Sequence, residues 1–159
     1  MLTDPRFSRP ALTKVEFASA LADEIARHRY SGLPFSLVVA SEREYGTVDM
    51  IQLARRVRDQ IRLADEVGLI ARREIAVLLP YTSHEGAWKV VDKIVELSRT
   101  HCSPPHCEVL EYPDDQSAIE TRFLDERPVG HAPQGHQRRF FTMGWSTFWR
   151  MFRSRSRRI

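Results

Sequence analysis

The chain has 159 residues, of which 42% are hydrophobic and 28% charged, a composition that suits one domain with its own core plus extensions. No uncharged apolar run reaches the ~18 residues of a membrane-spanning helix, and two cysteines, Cys102 and Cys107, are too few for a disulfide framework. The net charge of +3 is uneven: residues 127–159 hold eight arginines and no lysine or acid, leaving the rest of the chain at −5, so anionic partners are expected at the tail.

The N-terminus lacks the basic, apolar and small-residue order of a secretory signal, so a cytoplasmic protein is expected. Residues 1–12 contain Pro5 and Pro10 with little periodicity and read as an irregular entry segment. Thr13 to Glu16 then fits a capping box, and Phe17, Leu21 and Ile25 follow at helical spacing, predicting a helix that ends near Ser31 and Gly32. The short β-rich run Pro34 to Ala40 predicts a central strand.

A second helix is expected from about Val48 to Leu63, with Met50, Leu53, Ala54, Val57 and Ile61 on its apolar side. Two apolar runs, 67–70 and 75–79, flank Ala71-Arg72-Arg73-Glu74 and predict a hairpin stopped by Pro80. A third helix from about His84 to Arg99 and a strand from Cys107 to Tyr112 complete the periodic part. This order predicts an α/β (α+β) sandwich of ferredoxin-like type, a mainly antiparallel sheet with helices packed on one side. The expected domain covers 13–116, a linker with Pro128, Gly130, Pro133 and Gly135 covers 117–137, and a basic aromatic tail covers 138–159.

One spacing is more specific than the rest. Arg62-Leu63-Ala64-Asp65 is followed, after five residues, by Ala71-Arg72-Arg73-Glu74-Ile75 and an apolar strand. From about residue 11 to 113 the chain resembles the GGDEF, or diguanylate cyclase, family, whose Arg-x-x-Asp stands at this distance from a Gly-Gly-Asp/Glu-Glu-Phe turn. The resemblance implies a nucleotidyl-cyclase-like core, with the family's last helix and strand not recognisable.

Catalysis in that family uses divalent cations held by carboxylates at the first strand and the hairpin. The resemblance places Ser41, Arg43 and Arg73 at those positions, and none is a carboxylate. Two are guanidiniums, which stay charged and repel Mg²⁺ at close range. Ala71 and Arg72 stand where paired glycines let backbone approach phosphate, and Glu44-Tyr45-Gly46-Thr47 lacks the family's guanine-reading pattern. The expectation is a degenerate, non-enzymatic module that uses no metal and no cofactor.

In the family an Arg-x-x-Asp here is the inhibitory site for cyclic di-GMP. A guanidinium fork suits guanine or phosphate acceptors and a carboxylate suits guanine donors, so Arg62 and Asp65 are candidate ligand residues, on one helical face or at its end, with Arg58 as a third group. The bland counterpart is a surface ion pair, and the alternative function is a protein-interaction or membrane-associated scaffold, or a homodimer, with no nucleotide. His101-Cys102-Ser103-Pro104-Pro105-His106-Cys107 offers soft ligands without a zinc-like spacing and reads as a rigid turn. In the tail, Phe141, Trp145, Phe148, Trp149 and Phe152 alternate with Arg150, Arg153, Arg155, Arg157 and Arg158. That pattern suits peripheral attachment to an anionic membrane face, docking onto the domain or a partner helix, or nucleic-acid contact.

Overall fold

In a computed structural model, the described residues are 10–43, 49–99 and 104–125. The elements run β1 (Leu12–Thr13), α1 (Lys14–Ser31), β2 (Phe35–Ser41), α2 (Met50–Gln60), β3 (Glu66–Ala71), β4 (Glu74–Leu79), α3 (His84–Ser98), β5 (His106–Tyr112) and α4 (Gln116–Phe123). The sheet order is β1-β3-β4-β2-β5; every pairing is antiparallel except that of β1 with β3. The mainly antiparallel α/β core predicted from the sequence is therefore present.

Local signals explain the helix ends. Thr13 and Glu16 form the capping box, and the carboxylate of Glu16 accepts from the Thr13 amide at 2.7 Å. Those bonds lower the pKa of Glu16 from the usual carboxylate value. Gly32 closes α1 with φ 67°, a left-handed conformation that costs glycine little. Asp49 caps α2 by accepting from the amides of Ile51 and Gln52.

Helices cover both faces of the sheet, not one. Along β2 every residue from Phe35 to Ala40 is buried, and successive side chains point opposite ways. Phe35, Leu37 and Val39 join Phe17, Leu21 and Ile25 of α1 and Ile119 and Phe123 of α4. Val38 and Ala40 join Leu53, Ala54 and Val57 of α2 and Ala87, Val91 and Ile94 of α3. At Gly68 in β3, an added Cβ would lie 2.6 Å from Cδ2 of Phe17, so α1 rests on that strand at a distance only glycine permits.

Three boundaries differ from expectation. Leu12, assigned to the entry segment, pairs with Gly68 in β1. Residues 117–123, assigned to the linker, belong to α4, whose Ile119 and Phe123 are buried in the core. Helix α2 stops at Gln60 and not at Leu63, because Ile61 is already extended at φ −97° and ψ 168°. Glu44 to Thr47, the remainder of the proposed linker after 125, and the tail 138–159 lie outside the described residues. Among the described residues no helix is long and apolar enough to cross a membrane.

Candidate functional site

The early stop of α2 changes the setting of Arg62 and Asp65. They sit in a turn between α2 and β3, not on a helical face. The Asp65 amide donates to the Arg62 carbonyl at 3.1 Å, and the Arg62 amide donates to Oδ2 of Asp65 at 3.0 Å. The guanidinium completes a fork on the same carboxylate, Nε to Oδ2 at 3.2 Å and Nη2 to Oδ1 at 2.9 Å. Asp65 is only 2% exposed, whereas the Arg62 side chain is 61% exposed. A buried acid holding an exposed cation is an orienting arrangement, distinct from two mobile surface charges.

Nη2 of Arg62 also reaches across the open end of the hairpin, to Oγ1 of Thr82 at 2.8 Å and the Pro80 carbonyl at 3.4 Å. Here the surface forms an open hollow of about 460 Å³, whose lining includes Arg62, Asp65, Tyr81, Lys89 and Lys93 together with the apolar Leu79 and Val90. Three cations against one acid make it an anion-favouring concavity.

Arg58, proposed as the third cation, points elsewhere. It is 8% exposed and donates to the Asp65 carbonyl at 2.6 Å and to Glu66 at 3.3 Å. It locks α2 to the start of β3 and is not part of the hollow's lining. Lys89 and Lys93, four residues apart on α3, supply the additional charge. Sequence reasoning passed over them because it read α3 by its apolar stripe alone.

The other end of the hairpin holds the positions at which the resemblance expects metal ligands. Ser41 is opposite Glu74 in the β2–β4 register, and its hydroxyl donates to that carboxylate at 3.2 Å. Arg73 donates through Nε to Glu42 at 3.1 Å, and Arg43 is exposed. Arg122, on α4, bridges Glu74 at 2.9 Å and Glu108 at 2.7 Å. The carboxylates here thus already accept from guanidinium groups. Among the described residues no cluster of three His, Cys, Asp or Glu side chains is arranged to hold a metal ion.

Of the His/Cys loop, residues 101–103 are outside the described residues. Cys107 lies on β5, where its thiol donates to the Pro105 carbonyl at 3.9 Å and burial pushes its pKa up to about 12. Such a thiol stays protonated at neutral pH.

No protein-family profile matches the chain, and no curated protein matches it. Solved structures do. A DGC protein from Thermotoga maritima superposes with a TM-score of 0.60 at 16% identity, over 76% of this chain and 95% of its own. The GGDEF domain of YfiN (TpbB) from Pseudomonas aeruginosa gives 0.56 at 18%, over 68% and 79%. The GGDEF domain of DgcB from Caulobacter crescentus, solved with c-di-GMP, gives 0.54 at 12%, over 77% and 86%. With its five-stranded sheet and helices on both faces, the chain has the fold of the GGDEF domains of diguanylate cyclases.

Proposed function

We propose that this protein is a non-enzymatic GGDEF-like signalling module that binds cyclic di-GMP at the open end of the β3–β4 hairpin. The observation that carries this reading is the hollow in which Asp65 orients the exposed guanidinium of Arg62 beside Lys89 and Lys93. A cyclic dinucleotide presents two phosphodiesters and guanine edges. The lysines answer the phosphates as point charges, and Arg62, whose Nε and Nη2 are held by Asp65, Thr82 and Pro80, adds its charge and the remaining Nη1. Leu79 and Val90 add apolar surface to the lining against which a ring can pack.

The absence of turnover is supported by chemistry at the other end of the hairpin. Two-cation phosphoryl transfer needs carboxylates that face the metal with free lone pairs. Ser41, Arg43 and Arg73 offer none, while Glu42 and Glu74 accept from Arg73 and Arg122. A divalent ion entering there would have to displace a guanidinium from each.

Isothermal titration of the full chain with cyclic di-GMP, and with GTP plus Mg²⁺ in parallel, tests this. Micromolar binding of the cyclic dinucleotide is expected, weakened at least 10-fold by Arg62→Ala and about 3-fold or more by Lys93→Ala. Conversion of GTP to cyclic di-GMP would overturn the non-enzymatic reading. Undetectable binding of the dinucleotide would leave the fold to a protein-contact role.

A further inference from the structure

We infer that Tyr81 is the base-recognising residue of this hollow, its ring providing the stacking face for one purine of the bound nucleotide. The inference rests on the proposed nucleotide-binding role of the hollow and assigns a base-stacking element within it.

Tyr81 is the non-glycine residue with positive φ, 53°, among the described residues. At that backbone position a Cβ crowds the neighbouring carbonyl, so glycine or asparagine would fit at lower cost than a bulky ring. The core does not account for the choice, because Tyr81 is 54% exposed and belongs to neither hydrophobic cluster. Strain held at a residue that the core does not need is characteristic of ligand sites.

The neighbours of Tyr81 hold it in place. Pro80 on one side and Thr82 on the other both accept from Nη2 of Arg62, and the Thr82 hydroxyl donates back to the Pro80 carbonyl at 3.0 Å. The same guanidinium that faces the hollow therefore pins the turn that presents the ring. Tyr81 is also the aromatic residue in the hollow's lining; the remainder is charged, polar or aliphatic. Cations hold the phosphates, whereas an aromatic face adds affinity by stacking on a base. The division of labour is thus Arg62, Lys89 and Lys93 for charge and Tyr81 for the purine.

The test is titration of cyclic di-GMP into the full chain carrying Tyr81→Phe, Tyr81→Gly or Arg62→Ala, at two salt concentrations, with a thermal melt of each variant. Tyr81→Phe should bind within about 3-fold of the parent. Tyr81→Gly should lose roughly 5- to 160-fold, the range of one base-stacking interaction, while melting at or above the parent temperature because the left-handed strain is relieved. Its salt dependence should match the parent's, whereas that of Arg62→Ala should be shallower. Tyr81→Gly binding as tightly as the parent would overturn the inference and leave the nucleotide site standing. Equal losses in the Phe and Gly variants would also overturn it, by assigning the effect to the hydroxyl. A parent protein that does not bind cyclic di-GMP would overturn both readings together.

Discussion

The two ends of the β3–β4 hairpin are separated by six-residue strands, about 20 Å of extended chain, and both are rich in arginine. They use it in opposite ways. At the turn end, Arg73 and Arg122 donate to Glu42, Glu74 and Glu108, drawing the tips of β2, β4 and β5 and the helix α4 together. At the open end, one buried acid fixes Arg62 and leaves its side chain exposed beside two lysines. Arg122 is shared by two carboxylates, whereas Arg73 and Arg62 are each held by a buried acid with 41% and 61% of the side chain exposed, so what distinguishes the open end is the pair of lysines beside its arginine.

The largest expected effect comes from the strand that joins the two ends. In Gly68→Val the new side chain would overlap Phe17 at its Cβ, Cγ and Cδ2, and a ring anchored at its own Cβ cannot swing clear. Overpacking at a site this tight is expected to cost about 2–3 kcal/mol, read as a lower urea midpoint. Because β3 carries both ends, nucleotide affinity and stability should fall together. Parent-like stability in this variant would mean that α1 can slide on the sheet, and the two ends would no longer share a rigid frame.

Asp65→Ala should separate the ends. Removing a buried carboxylate that accepts from the amide, Nε and Nη2 of Arg62 is expected to cost about 1–3 kcal/mol. It should also free Arg62 from its orientation, so dinucleotide binding should fall as far as in Arg62→Ala. Arg122→Ala, at the other end, should cost about 1 kcal/mol, since its two ion pairs are half-exposed, and should leave dinucleotide affinity unchanged. A loss of affinity in Arg122→Ala, measured by titration, would show that the two ends are coupled.

The parts of this arrangement that were legible in the sequence are those set by local rules. The capping box at Thr13, the Phe35–Ala40 strand, the hairpin around Ala71–Glu74 and the pairing of Arg62 with Asp65 all follow from spacing of a few residues. The continuous apolar run Leu37–Ala40 of β2 also carries a sign of two covered faces: a strand covered on one face should alternate, and this stretch does not. Helix α4 escaped notice because it has two buried residues, four apart, and no side-chain bond at its N-cap. β1 is two residues long and has no period to detect. The hollow was hidden for a different reason. Which polar face of α3 meets the turn after α2 depends on both helices crossing the same sheet face, and the left-handed backbone at Tyr81 leaves no mark on periodicity.

The smallest effect concerns Glu24, a buried acid at neither end, which shows what incomplete neutralisation costs. Glu24 is 4% exposed on α1 and pairs with Arg27 one turn on. Burial outweighs the attraction of Arg27 and His28, so its pKa is raised above the usual 4.5. With the folded-state pKa above the unfolded one, protonation favours the native state. The stabilisation from this group is complete below 4.5 and disappears as pH rises through the elevated folded value, so at neutral pH the ionised side chain costs stability. Glu24→Gln, which keeps the shape and an acceptor for Arg27, should therefore raise stability by a few tenths of a kcal/mol to about 1 kcal/mol at pH 7. Its advantage should shrink towards pH 4, as urea denaturation across that range would show. An advantage that persisted at pH 4 would assign the gain to packing. A loss at pH 7 would mean that Arg27 offsets the burial completely, placing Glu24 with the clasped carboxylates of the turn end.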